Sequence, residues 1–162
     1  MATWSLYRNI EASLDDFLIA QALSDSLKDI NNNSISFQVG RKQSSSGELP
    51  LITMYMDSEV TTRFEIGSFK REDLQTVIID IYAKTEADRL DLAKWVVDTI
   101  NNGWTYYIYA DSADPDVPTK TASGRINVQT FLTNERVNLG QNTDTYDQHR
   151  HRISINVWNS GS

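Results

Sequence analysis

Two stretches of this chain repeat their apolar residues every three or four positions, while most of the remaining apolar residues alternate with polar neighbours. This division limits the fold to two helices and a sheet. In the first stretch Ile10, Leu14, Phe17, Ala20, Leu23, Leu27 and Ile30 form one stripe, with an N-terminal signal at Ser13, Asp15 and Asp16 and a stop at Asn31-Asn32-Asn33. The spacing predicts a helix from about Leu14 to Ile30. In the second, Thr85-Glu86-Ala87-Asp88 resembles a capping box, and Leu90, Ala93, Val96, Val97 and Ile100 form the stripe that a helix would bury. Asp88, Asp91 and Asp98 are expected to point outward, and Asn101-Asn102-Gly103 ends the segment.

Period-two alternation fills the rest. It predicts a strand at 34–39 and then three strands of an antiparallel meander at 51–56, 60–69 and 76–83. Further strands are expected at 104–109, 124–132 and 148–158. The order helix, strands, helix, strands does not repeat as parallel units do. The expected class is α+β: an antiparallel or mixed β-sheet with two α-helices packed on one face. At 162 residues, with no linker, one domain spanning 1–162 is expected, with long loops near 40–49, 111–123 and 133–147. The segment Gly40 to Glu48 is polar, with three consecutive serines, and reads as a mobile loop that orders against partners.

Chemistry is sparse. Dinucleotide, phosphate-loop, nucleophile-elbow and zincin motifs do not occur, so no catalytic or cofactor-binding residue is expected. The chain has no cysteine, which excludes disulfides, thiolate zinc sites and a cysteine nucleophile and suits a reducing compartment. The start carries no signal-peptide pattern and no apolar run reaches eighteen residues, so a soluble, membrane-independent protein is expected. Asp147, His149 and His151 would share one face of a strand, a spacing that could present a carboxylate and two imidazoles to a metal. Because that face continues as Ile153, Ile155 and Val157, a partly buried strand is the simpler account. Asp111, Asp114 and Asp116 lack calcium-loop spacing, with Pro115 and Val117 interrupting them, and read as turn formers.

Twenty-two acids against fifteen Lys plus Arg give a net charge of -7, which opposes a phosphate-neutralising clamp. The positive groups Arg41, Lys42, Arg63, Arg71, Arg125, Arg136, Arg150 and Arg152 therefore read as solvated surface. A subset, Arg41, Lys42, Arg63, Arg71, Arg136, Arg150 and Arg152, are the candidates for subunit or partner contacts, meeting acids such as Asp88, Asp91 or Asp98 of a neighbour. Trp104, Tyr106, Tyr107 and Tyr109 lack the interleaved basic residues of a single-strand nucleic-acid platform and suit core and interface packing.

Four segments carry a resemblance. They are Thr62-Arg63-Phe64-Glu65-Ile66-Gly67; Val77-Ile78-Ile79-Asp80-Ile81-Tyr82 running into Thr85-Glu86-Ala87-Asp88; Trp104-Thr105-Tyr106-Tyr107-Ile108-Tyr109; and Tyr146 through Trp158. In layout, from about 60 to 158, the chain resembles the tail terminator, or tail completion, proteins of long-tailed, non-contractile bacteriophages. The resemblance implies a non-catalytic virion protein with helices on one side of a sheet. It would be made in the host cytoplasm and assembled as a ring, commonly a hexamer, at the head-proximal end of the tail. The partners it implies are other copies of the chain, the tail tube protein and a head or neck completion protein, with DNA passing through without specific binding. A head-completion or neck protein of similar layout is the alternative within virion assembly. A metal-dependent enzyme or small-ligand binder built on Asp147, His149 and His151 is the alternative of another class.

Overall fold

In a computed structural model of the chain, the structure describes residues 4–40, 49–63, 71–114, 116–137 and 149–160. The first helix, α1, runs Leu6–Ser24, earlier than the stripe alone suggests, because Ser5 is the N-cap and accepts a hydrogen bond from the Arg8 amide. It stops well before Ile30. Ser26 sits at φ 52°, and the Asp29 carboxylate accepts the amides of Asn31 and Asn33, bending the chain into a turn. Of the expected stripe Ile10 and Leu14 are fully buried and Phe17 and Leu27 partly so, whereas Leu23 is 77% exposed and Ile30 69%, and Leu18, outside the stripe, is fully buried.

Strand β1, Ser36–Val39, is short, and the meander expected next is a single long ribbon of two strands, β2 (Leu51–Arg63) and β3 (Arg71–Ala83). The expected separate strand at 60–69 is therefore the far end of β2 as far as Arg63, and 64–70 lies outside the described residues. The expected loop at 40–49 likewise lies outside them from 41 to 48. Helix α2, Glu86–Ile100, starts at the N-cap Thr85, as the sequence predicts. Two of its residues correct the sequence reading. Asp88 is buried, with its carboxylate bridging Thr85 Oγ1 at 3.0 Å and the Ile30 amide at 3.0 Å, so it does not face solvent. Leu90 is 54% exposed, and Leu92 takes the core position instead.

The chain ends in three strands: β4 (Trp104–Ala110), β5 (Thr119–Arg136) and β6 (His149–Ser160). The loops expected at 111–123 and 133–147 are both shortened, because β5 begins at Thr119 and runs on to Arg136. At the entry to β4, Gly103 has φ 73°, and a Cβ there would lie 2.2 Å from the Ile126 carbonyl oxygen, so that close approach requires glycine.

The six strands form one mixed sheet in the order β1-β2-β3-β6-β5-β4. Only β1 and β2 are parallel. Ile52 and Met54, then Val77, Ile79 and Ile81, and then Ile153, Ile155 and Val157 turn the same way and bury the apolar stripes of α1 and α2. The α+β class with both helices on one face is what the period-two and period-3.6 segments imply. Helix α1 touches β4 at one end of the strand order and β1 and β2 at the other, so the sheet is curled and α1 lies between its two flanks.

Candidate interaction surfaces

The flanks of a sheet carry unpaired amides and carbonyls, and here α1 occupies them with polar side chains. Asn9 and Ser13 are buried although polar. The Tyr107 amide donates to Ser13 Oγ at 2.9 Å, the Tyr109 amide donates to Asn9 Oδ1 at 3.1 Å, and the Trp4 amide donates to the Tyr109 carbonyl at 3.0 Å. On the opposite flank the Met56 amide donates to Glu11 Oε1 at 2.8 Å. One helix therefore serves both flanks from nearly opposite sides: Asn9 and Ser13 close the free side of β4, and Glu11 closes the step where β2 outruns β1. Nothing in the sequence marks this role: Asn9 and Glu11 read as ordinary polar positions and Ser13 as part of a helix start, and their partners lie far along the chain.

Asp80 sits on the helix-free face of β3, and its side chain is only 2% exposed. It is held by two neighbours on β6. Arg150 Nη2 donates to Oδ2 at 2.8 Å, while Arg152 donates through Nε to Oδ1 at 2.9 Å and through Nη2 to Oδ2 at 3.1 Å. The fork-to-fork geometry of Arg152 fixes orientation as well as charge, and Asp80 pushes the Arg152 guanidinium above its ordinary range. The Arg150 guanidinium lies 5.0 Å from the centre of the Tyr82 ring, a cation–π arrangement. Arg150 and Arg152 thus stand on the face opposite the histidines, as alternation requires, with a counter-ion inside their own chain.

On the helix face, His151 is buried between α2 and β5. Arg89 Nη1 faces its Nδ1, and because a guanidinium can only donate, that nitrogen accepts; the proton is then on Nε2, which donates to Asn134 Oδ1 at 2.6 Å. Burial, with Arg89 second, pushes the His151 pKa down. Arg89 also binds Glu86, whose carboxyl is held down at about 2 chiefly by that bond, and Glu86 Oε2 lies 3.3 Å from His149 Nδ1. Both ring nitrogens of His151 are engaged, so a metal there would have to displace Arg89 from Nδ1 or Asn134 from Nε2. Asp147, the third member of the sequence-derived cluster, lies outside the described residues, among which no group of three acids or histidines is placed to hold a metal.

The other sequence candidates scatter. Arg41 and Lys42 lie outside the described residues, while Arg63 and Arg71 are backbone register partners at the far end of the β2–β3 ribbon. Arg136 is exposed at the end of β5, and Arg125 Nη2 donates to the Asn102 carbonyl at 2.8 Å. Asp91 and Asp98 are exposed on α2, with Asp98 paired to Lys94. Asp114 accepts from the Asp116 amide at 3.0 Å, the bonding of a turn former, whereas Asp111 accepts from the distant Trp4 Nε1 at 2.8 Å. Trp104, Tyr106 and Tyr109 are buried, so the aromatic strand is core.

A cleft of about 510 Å³ that the sequence does not signal opens between the start of α1 and the β4–β5 turn, lined by Trp4, Arg8, Asp15, Tyr109, Val117 and Lys120 among others. Burial, and then Asp16, push the Asp15 carboxyl up to about 6, and its Oδ1 is buried without a hydrogen-bond partner. The walls of the cleft come from α1, β1, β4, β5 and the turn between the last two, so no local motif could have revealed it.

No protein-family model matches this chain, and no curated protein matches it significantly. Among the described residues no helix is long and apolar enough to cross a membrane.

Proposed function

We propose that this protein is a non-catalytic assembly protein, the terminator ring that caps a phage tail tube and joins it to the head. The observation that carries the reading is the pairing of the two segments on which the resemblance chiefly rests. Strand β3, with Val77 to Tyr82, lies against β6 from Gln75↔Val157 to Ala83↔His149, in the interior of the sheet, and the helix that follows β3 packs over both. Two of the four segments that carry the resemblance are thus neighbours in space, while Trp104 to Tyr109 lies in β4 at the far flank of the sheet. The polar groups gathered in the interior support the same reading. Asp80 and His151 are engaged in bonds that tie strands and helix together, which is what an assembly subunit needs to stay rigid.

Electron microscopy of particles made without this protein tests the proposal. Loss of a terminator gives overlong tails with no heads attached. Tails of normal length beside leaking heads would assign the protein to the neck instead, and unaltered particles would overturn a role in the virion. Metal analysis of the purified protein addresses the enzyme alternative: stoichiometric zinc, iron or manganese would favour it, against the bonding of His151.

A further inference from the structure

We infer that β2 beyond Met56 is a strand-pairing edge for a second copy of this chain, whose β5 supplies the complementary edge near its C-terminal end. Strand β1 covers β2 only from Leu51 to Met54, and Glu11 takes the Met56 amide. From Asp57 to Arg63 no described element lies on that side of β2. On its other side β2 pairs with β3 as far as Arg63↔Arg71, while β6 supports β3 only as far as Gln75. Among the described residues the last four register pairs, Val60↔Leu74 to Arg63↔Arg71, are therefore a two-stranded ribbon without a third strand. Such ribbons are marginal in water unless something else pairs with or packs on them.

The complementary edge is on the opposite flank. Strand β4 covers β5 only as far as Ile126, whereas β6 continues along its other side to Arg136. Register shifts between Val128 and Thr130 and between Phe131 and Thr133 interrupt the first part of this free edge, and bulges of that kind discourage pairing. Thr133 to Arg136 then runs regularly, beside Leu132, which is 49% exposed. Three antiparallel steps separate β2 from β5, so the two strands run in opposite directions and a neighbour in the same sheet sense pairs antiparallel. Because the edges lie on different flanks, the contact is heterologous and repeats from copy to copy until rotation closes it. Side chains of α1 take the Tyr107 and Tyr109 amides of β4 and the Met56 amide of β2, which keeps those groups out of the pairing, and the contact is short. The inference deepens the ring reading above and rests on it for closure.

The chain contains no cysteine, so introduced pairs report cleanly. Thr61→Cys/Glu135→Cys, oxidised at high protein concentration or on assembled tail tubes, should give a ladder of disulfide-linked oligomers ending in one closed species. Each single variant should stop at dimers, and the control pair Thr61→Cys/Lys120→Cys, whose second cysteine lies on the part of β5 that β4 covers, should give no ladder. Thr61→Pro, with circular dichroism unchanged, should weaken self-association roughly ten-fold or more. No ladder, or an equal ladder from the control pair, overturns the inference. Rings that form without the ladder overturn this contact and leave the ring reading standing. A ladder together with normal headed particles in the absence of the protein overturns the terminator role and leaves the contact standing.

Discussion

Asp80 shows at the scale of one residue how a buried charge is tolerated. Two guanidiniums donate three bonds to its carboxylate, and removing the carboxylate leaves two cations crowded on one face of the sheet. Breaking one side of such a buried pair costs about 3–5 kcal/mol, so Asp80→Ala should lower the urea midpoint by that equivalent. The sequence showed Asp80 inside a strand and the two arginines on one face of another, but not that they meet, because strand order is not local information. Two further residues give the protein opposing pH dependences. The folded His151 pKa lies below its ordinary 6.5, so the unfolded chain takes up the proton first and stability falls as pH drops through that value. The folded Asp15 pKa of about 6 lies above the ordinary 3.8, so its contribution is lost as pH rises between those values. Thermal melts should therefore place Asp15→Asn above wild type at pH 7, with the gap closing toward pH 4. His151→Gln should flatten the loss of stability that wild type shows on the acid side of pH 6.5. Parallel curves for either variant would contradict the assignment.

At the scale of elements, the helices and strands were legible as types and their ends were not. The stripe of α1 and the alternation of β6 follow from burial on one face, and the structure keeps the alternation of β6 and the first part of the stripe. The ends depended on chemistry that periodicity does not carry: the Ser5 cap, the Asp29 turn, and the continuation of β5 at both ends. Asp88 was misread for a related reason, since an acid at the third position of a helix is usually solvated unless a distant backbone amide, here that of Ile30, needs an acceptor. The plugging of the flanks by α1 gives a direct prediction. Asn9→Ala and Ser13→Ala each strand a β4 amide beneath the helix, and each should cost about 1–3 kcal/mol. Hydrogen exchange should show faster exchange at Tyr109 and Tyr107 respectively. Exchange unchanged at both amides would mean that α1 does not seal β4.

For the whole molecule the dominant quantity is charge. A net charge of -7 per copy means that copies repel one another until local pairing offsets the field, and the described contact edges are short. The isolated protein should therefore be mostly monomeric at low concentration, with rings appearing at high concentration or on the end of an assembled tube. Sedimentation over a concentration series, with and without tube, measures this. A stable hexamer at nanomolar protein without tube would show that the ring is obligate.

The position of α1 also sets an order of events during synthesis. Asn9 is made a hundred residues before its backbone partner at Tyr109. In that interval α1 can pack on β1 and β2, but Asn9 and Ser13 have no β4 amides to take. Closure comes only once β4 exists. The nascent chain thus passes through an interval in which it is most prone to pair with the wrong neighbour, and that interval ends when an earlier segment folds back onto a newer one.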